Sequence, residues 1–174
     1  MKLLEHLSQR SLIIGNSGSG KSALSERLNT LTHVPVADLD LLHWESDGYG
    51  RKRDEEVARR MVSETAFRDF WIMEGVYGWL AEVAVPRATA LIWLDLPWSL
   101  CHAGLLARGP RRGATEKDVT DLLKWAEHYW KRETSSSFAG QARIFGDFSG
   151  VKFRLRNRED IEQLLDSLRR DLEN

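Results

Sequence analysis

The chain has 174 residues, 42% of them hydrophobic, which suits one globular domain spanning 1–174 with a sizeable core and calls for no second domain. A formal net charge of −1 gives no overall electrostatic reason to bind DNA or anionic lipid, so nucleic acid and membranes are set aside as partners, short of a local basic patch. Cys101 is alone and forms no internal disulfide, the histidines lack zinc-type spacing, and no long apolar span or leader is visible, so a cytoplasmic protein is expected.

In chain order, Met1 to Arg10 is a short amphipathic lead-in carrying Leu3, Leu4 and Leu7. An apolar strand at 11–15 then runs into Gly15-Asn-Ser-Gly-Ser-Gly-Lys-Ser22, a Gly-x-x-x-x-Gly-Lys-Ser pattern. A polyphosphate must be met without carbon atoms in the way, and these glycines let the backbone wrap closely with its N–H groups inward. A helix from about Lys21, with Leu24, Leu28 and Leu31 at helical spacing, adds unpaired amides and the positive end of its dipole. Gly15, Asn16, Ser17, Gly18, Ser19, Gly20, Lys21 and Ser22 are therefore the expected nucleotide-binding residues. Lys21 would reach the β- and γ-phosphates, and the Ser22 hydroxyl would sit on Mg²⁺. A flexible Gly/Ser turn is the competing reading, but the four fixed positions arise by chance in roughly 1% or fewer of chains this long. Strand, loop and helix also agree with one another.

Further strand-like segments lie near 34–38, 70–74, 89–95 and 151–155. Helical patterns alternate with them: Asp54 to Asp69, a segment from near Pro97, Val119 to Trp130, and Ile161 to Leu172. This alternation predicts an α/β fold with a five-stranded parallel sheet, helices on both faces and right-handed crossovers. Ser135 to Ser137 reads as a loop, and the Gly/Arg-rich run 108–113 as a mobile connection. Trp71 and Trp93 belong to strands and to the core; the other tryptophans include candidates for an exposed cluster at an acceptor site or a homodimer interface.

Ligands of open parallel sheets gather at the carboxyl ends of the strands, which brings three acidic segments forward. Asp38 and Asp40 close the second strand, where a carboxylate can orient or deprotonate an acceptor hydroxyl, or simply cap the next turn. Glu74 and Asp95 each end an apolar strand and compete for the role of holding a magnesium water. Arg108, Arg111 and Arg112 surround a Gly-Pro segment and are candidates for a lid over transferring phosphates, around 108–116. Arg51, Lys52 and Arg53 either hold an anionic acceptor or face solvent, and Lys131 and Arg132 are accounted for by a helix C-terminus.

The ordered set Ile14 to Ser22, Val36 to Trp44, Trp71 to Tyr77, Ile92 to Pro97, Tyr129 to Lys131 and Val151 to Arg156 resembles the small adenylate-kinase-like P-loop proteins often called DNA topology modulation proteins. These sit within the nucleoside and nucleotide kinase superfamily. The resemblance implies a P-loop NTPase sheet of order 2-3-1-4-5, with the strand ending at Glu74 beside the P-loop strand, which favours Glu74 for magnesium. It further implies an acceptor region around 43–69 near Asp40 and Trp44, Arg108 at the lid, and the Arg156-Asn-Arg158 segment near the adenine. Where related sequences carry Asp-Gly-Asn-Tyr, this chain has Glu74-Gly-Val-Tyr77, with a longer acid and no amide.

The expected function is an ATP- and Mg²⁺-dependent phosphotransferase acting on a small, unidentified acceptor, with Lys21, Asp40, Asp38, Arg108 and Arg112 as the catalytic candidates. The contrasting reading is a regulatory or DNA-associated nucleotide-binding ATPase with no small acceptor.

Overall fold

Apolar residues fill the interior positions of three strands, as burial on both faces of a sheet demands. The computed structural model describes residues 3–46, 50–110 and 113–173. Along them run α1 (Leu3–Leu7), β1 (Arg10–Gly15), α2 (Lys21–Thr32), β2 (Val36–Asp38), α3 (Leu39–His43), α4 (Glu55–Ala66) and β3 (Trp71–Gly75). There follow α5 (Gly78–Ala84), β4 (Ala90–Leu94), α6 (Trp98–Arg108), α7 (Glu116–Glu127), α8 (Phe138–Asp147), β5 (Val151–Leu155) and α9 (Arg158–Leu172). The sheet is parallel throughout, in the order β2-β3-β1-β4-β5. The central strands β3, β1 and β4 are the doubly buried ones, whereas β2 and β5 form the edges and are partly exposed.

Strand alternation divides the core into two layers. Ile13, Ile72 and Ile92 face one side, where Leu24 and Leu28 of α2 and Leu165 and Leu168 of α9 cover them. Leu12, Ile14, Met73 and Trp93 face the other, under Ala58 and Val62 of α4, Leu80 of α5 and Ile144 of α8. The lead-in forms α1 and is tied to α9 by the Leu4 amide, which donates to Asp171 Oδ2 at 3.2 Å.

Helix boundaries follow local chemistry. Asp54 caps α4 through the Val57 amide, Thr115 and Asp118 form a reciprocal capping box on α7, and Asn157 caps α9 through the Asp160 amide. The periodic run expected to reach Trp130 as one helix ends at Glu127 and continues as a 3₁₀ turn, His128–Trp130. The serine cluster does more than loop: Ser137 caps α8, a helix that sequence periodicity does not announce. Among the described residues, no helix is long and apolar enough to cross a membrane.

Lys152 on β5 closes the other end of α8. Its ammonium donates to the carbonyls of Phe145 (2.8 Å), Gly146 (3.1 Å) and Phe148 (2.9 Å), satisfying acceptors that the helix leaves unpaired. Lys152→Met is expected to cost about 1–2 kcal/mol, because the stem still packs while the charge-assisted bonds go. A melting temperature lowered by roughly 2–8 °C in a thermal scan is the corresponding observation.

Candidate active site

The phosphate-type loop between β1 and α2 is held from behind by helices far away in sequence. Gly18 has φ +79°, and a Cβ there would come within 2.1 Å of the Cys101 carbonyl oxygen and 2.7 Å of Leu105 Cγ on α6. Gly104 mirrors it, since its Cβ would lie 2.3 Å from the Gly18 carbonyl oxygen. Loop and helix therefore touch backbone to backbone. The Asn16 side chain donates to the Ala126 carbonyl on α7 at 2.9 Å and accepts from the Ser17 amide at 2.8 Å. Gln141 of α8 donates to the carbonyls of Val76 (3.1 Å) and Gly15 (3.5 Å), while its own oxygen accepts from Tyr129 Oη at 2.7 Å.

Ser17, Gly18, Gly20, Lys21 and Ser22 line a cavity of about 360 Å³, whose other walls include Asp40, Glu74, Tyr77 and Arg108. Gly15, Asn16 and Ser19 stand behind this surface as its frame. Lys21 is buried, and its Nζ donates to the Asn16 carbonyl at 2.9 Å, arched across the loop.

Three carboxylates gather at this end of the sheet, Asp38 and Glu74 from β2 and β3 and Asp40 from the first turn of α3, beyond the strand it was expected to close. Asp38 and Glu74 are partners in the β2–β3 register, and Glu74 Oε1 accepts from the Ser22 hydroxyl at 2.6 Å. Asp38 caps α3 through the amides of Asp40 (2.8 Å) and Leu41 (3.3 Å), so its carboxylate has a structural task. Asp40 lies partly buried, with Oδ1 accepting from the Val76 amide at 3.2 Å. Burial pushes its carboxyl up to about 7, opposed by Lys21 and reinforced by Asp38 and Glu74. Gly75 permits this packing, since a Cβ there would meet Leu39 Cβ at 2.7 Å and Asp40 Oδ1 at 3.0 Å.

Strand adjacency does not choose between Glu74 and Asp95, because β1 is flanked by β3 on one side and β4 on the other. Side-chain contacts do separate them. Asp95 is paired with Arg154 at 2.7 Å and lies off the cavity lining, whereas Glu74 meets Ser22. Among the described residues no group of three or more His, Cys, Asp or Glu is arranged to hold a metal by itself. A serine hydroxyl and one carboxylate beside a phosphate loop are nevertheless the donor set suited to magnesium, which keeps waters and takes phosphate oxygens as ligands. Arg108 reaches the cavity wall from the end of α6, while Arg111 and Arg112 lie outside the described residues. Arg156 is exposed after β5, its amide donating to Asp160 at 2.6 Å, and does not line this cavity.

A second chamber, of about 550 Å³, adjoins the first and shares Tyr77, Leu122 and Trp125 with it. Its walls come from His43 and Trp44, residues 50–53, the start of α4, Tyr77 and α5, α7 and the turn at 132–136. Two basic residues of this lining are held by main-chain carbonyls. Arg53 donates to the carbonyls of Leu42 (3.0 Å) and Trp44 (2.9 Å) and pairs with Glu45 at 3.7 Å, so it straps residues 42–45 and neither awaits an anion nor simply faces solvent. Arg132 donates to the Trp125 carbonyl in the last turn of α7, the helix C-terminus role expected of it, and also borders the chamber, donating to the Ser136 carbonyl with its guanidinium 4.0 Å from the Trp125 ring centroid.

Comparison with known proteins adds the fold. The chain has a TM-score of 0.58 to a shikimate kinase from Bacteroides thetaiotaomicron, at 18% identity over 95% of this chain and 99% of that one. A gluconokinase from Sinorhizobium meliloti 1021 gives 0.56 at 19% identity over 97% and 96% of the two chains. A shikimate kinase from Aquifex aeolicus gives 0.53 at 14% over 94% and 96%. The fold is the α/β P-loop type. No family model and no curated protein matches the sequence.

The raised Asp40 carboxyl has a consequence for stability. It ionises near 3.8 when unfolded but near 7 when folded, so the folded chain holds the extra proton between those values and stability falls as pH rises through that window. Asp40→Asn keeps the acceptor for the Val76 amide and removes the buried charge. Its melting temperature should exceed that of the parent at pH 8 by at least the roughly 2–4 °C that 1 kcal/mol produces in a chain of this size, with the difference shrinking toward pH 4.

Proposed function

We propose that the chain is an ATP-dependent phosphotransferase that passes the terminal phosphoryl of a magnesium-bound nucleoside triphosphate to the hydroxyl of a small acceptor. The observation that carries this reading is the pair of adjoining cavities, one floored by the phosphate loop and one shaped for a second molecule, with Asp40 in the wall of the first near their shared residues. A nucleotide-binding module without an acceptor has no use for the second chamber.

The loop amides and the N-terminus of α2 bind the phosphates, and Lys21 swings from the Asn16 carbonyl onto them. Ser22 and Glu74 would hold magnesium, which when bound offsets phosphate charge. Asp40 accepts the proton of the acceptor hydroxyl as its oxygen bonds to the γ-phosphorus and the bond to the β-phosphate oxygen breaks, leaving the nucleoside diphosphate. A carboxyl near 7 is a base matched to neutral pH, stronger than an ordinary aspartate. Asp38 positions Asp40 by capping α3, and Arg108, with Arg112 as the further lid candidate, covers the transferring group. The named kinases of like fold support phosphoryl transfer, whereas the resemblance to topology modulation proteins adds no substrate.

Incubation with Mg·ATP and a panel of nucleosides, sugars and acids, followed by mass detection of phosphorylated product, tests the assignment. Lys21→Ala is expected to abolish detectable ATP binding, and Glu74→Gln to lower kcat by about 10²-fold or more while raising the magnesium needed. ATP consumption with no phosphorylated acceptor from the panel, together with salt-sensitive DNA binding, would transfer the case to the regulatory module. The acceptor kcat/KM should rise with pH through an apparent pKa above that of an ordinary aspartate, a limb that Asp40→Asn removes.

A further inference from the structure

The chamber beside the phosphate site has a wall made largely of rings: His43, Trp44, Tyr77, Trp79 and Trp125 all line it. His43 is 8% exposed and lies parallel to Tyr77, with centroids 3.9 Å apart and planes inclined by 25°. Trp44 meets its edge at 4.7 Å and Trp79 at 5.8 Å. Its Nδ1 has no hydrogen-bond partner among the described residues, so stacking is the main interaction that holds the ring. Burial, helped by Lys52, lowers its pKa to about 4, which keeps the imidazole uncharged at physiological pH. On the far side Tyr77 faces Trp125 at 6.2 Å, and both rings also border the phosphate cavity.

Among the described residues, the charges lining this chamber are mixed in sign. Arg53 donates to main-chain carbonyls through Nε and Nη2, Arg132 donates to carbonyls through both Nη atoms while its buried Nε has no partner among the described residues, and Lys52 shares the lining with Glu55, Asp118 and Asp121. A carboxylate or phosphate entering here would lose hydration without a bidentate partner among the described residues. A flat ring loses little on leaving water and gains offset or edge contacts on several sides.

Resting on the phosphotransferase reading, we propose that the acceptor is an uncharged alcohol that carries a flat aromatic or heteroaromatic ring. The ring beds among His43, Tyr77 and Trp125, and its hydroxyl is presented toward Asp40. Sugar acids and nucleoside monophosphates are poor fits to this chamber.

The test uses the whole chain and two separate readouts. Binding of adenosine, guanosine, thymidine and pyridoxine is followed by saturation-transfer NMR, against shikimate, gluconate and thymidine monophosphate, and Mg·ATP turnover of each compound is followed by product mass. At least one neutral ring alcohol should bind at or below about millimolar concentration and turn over at least 10²-fold faster than any of the three anions. His43→Ala should weaken that binding tenfold or more while the affinity for a non-hydrolysable ATP analogue stays within threefold. His43→Phe, which keeps a ring of similar volume, should restore binding to within threefold, with circular dichroism confirming that both variants fold. Absence of binding by every ring compound, preference for an anion, or equal loss in the Phe and Ala variants overturns the proposal. Ring binding that follows this pattern without ATP-analogue binding or turnover removes the phosphotransferase reading and, with it, the acceptor role.

Discussion

Everything at this site depends on the main chain from Gly15 to Gly20 being pressed into a shape that water alone would not hold. The pressure comes from three helices more than 80 residues downstream. Contact of Gly18 with α6 leaves no room for a methyl group, Asn16 reaches the last turn of α7, and Gln141 of α8 ties Gly15 to Val76. Amides so fixed are presented to an anion without the reorganisation that a free loop would require. The polar chain from Trp93 Nε1 through Tyr129 to Gln141 is buried and satisfied, which rigidifies the support.

Electrostatics at the strand ends oppose folding and favour chemistry. Asp38, Asp40 and Glu74 crowd one corner of the sheet, with Lys21 as the countercharge that acts on Asp40. Burial, with the neighbouring carboxylates adding to it, makes Asp40 a carboxyl that gives up its proton late. The same crowding suits a site whose ligand arrives with a divalent ion.

Much of this was legible in the sequence because it is local. The Gly-x-x-x-x-Gly-Lys-Ser run between an apolar strand and Leu24, Leu28 and Leu31 needs only nearest neighbours to be read, and the doubly apolar strands announce a covered parallel sheet. Strand order required the family resemblance, since crossovers leave no trace in periodicity. What stayed hidden is long-range. Gln141 sits in a segment with Gly140 and Gly146 that looks like a poor helix, yet Gly140 is there because a Cβ would strike the Thr134 carbonyl at 2.3 Å. Arg132 serves the end of α7 as expected but also borders the second chamber, and Arg53, read as an anion holder or a surface residue, is a strap on main-chain carbonyls. Donor and acceptor geometry between residues distant in the chain decides such cases.

Ala126, whose carbonyl receives the Asn16 side chain, is the immediate neighbour of Trp125, a wall shared by both cavities. One helical step thus joins the rear of the nucleotide cradle to the face of the neighbouring chamber. Thermodynamic linkage makes any cooperativity carried by that joint reciprocal: whatever factor one occupant adds to the affinity of the second, the second returns to the first.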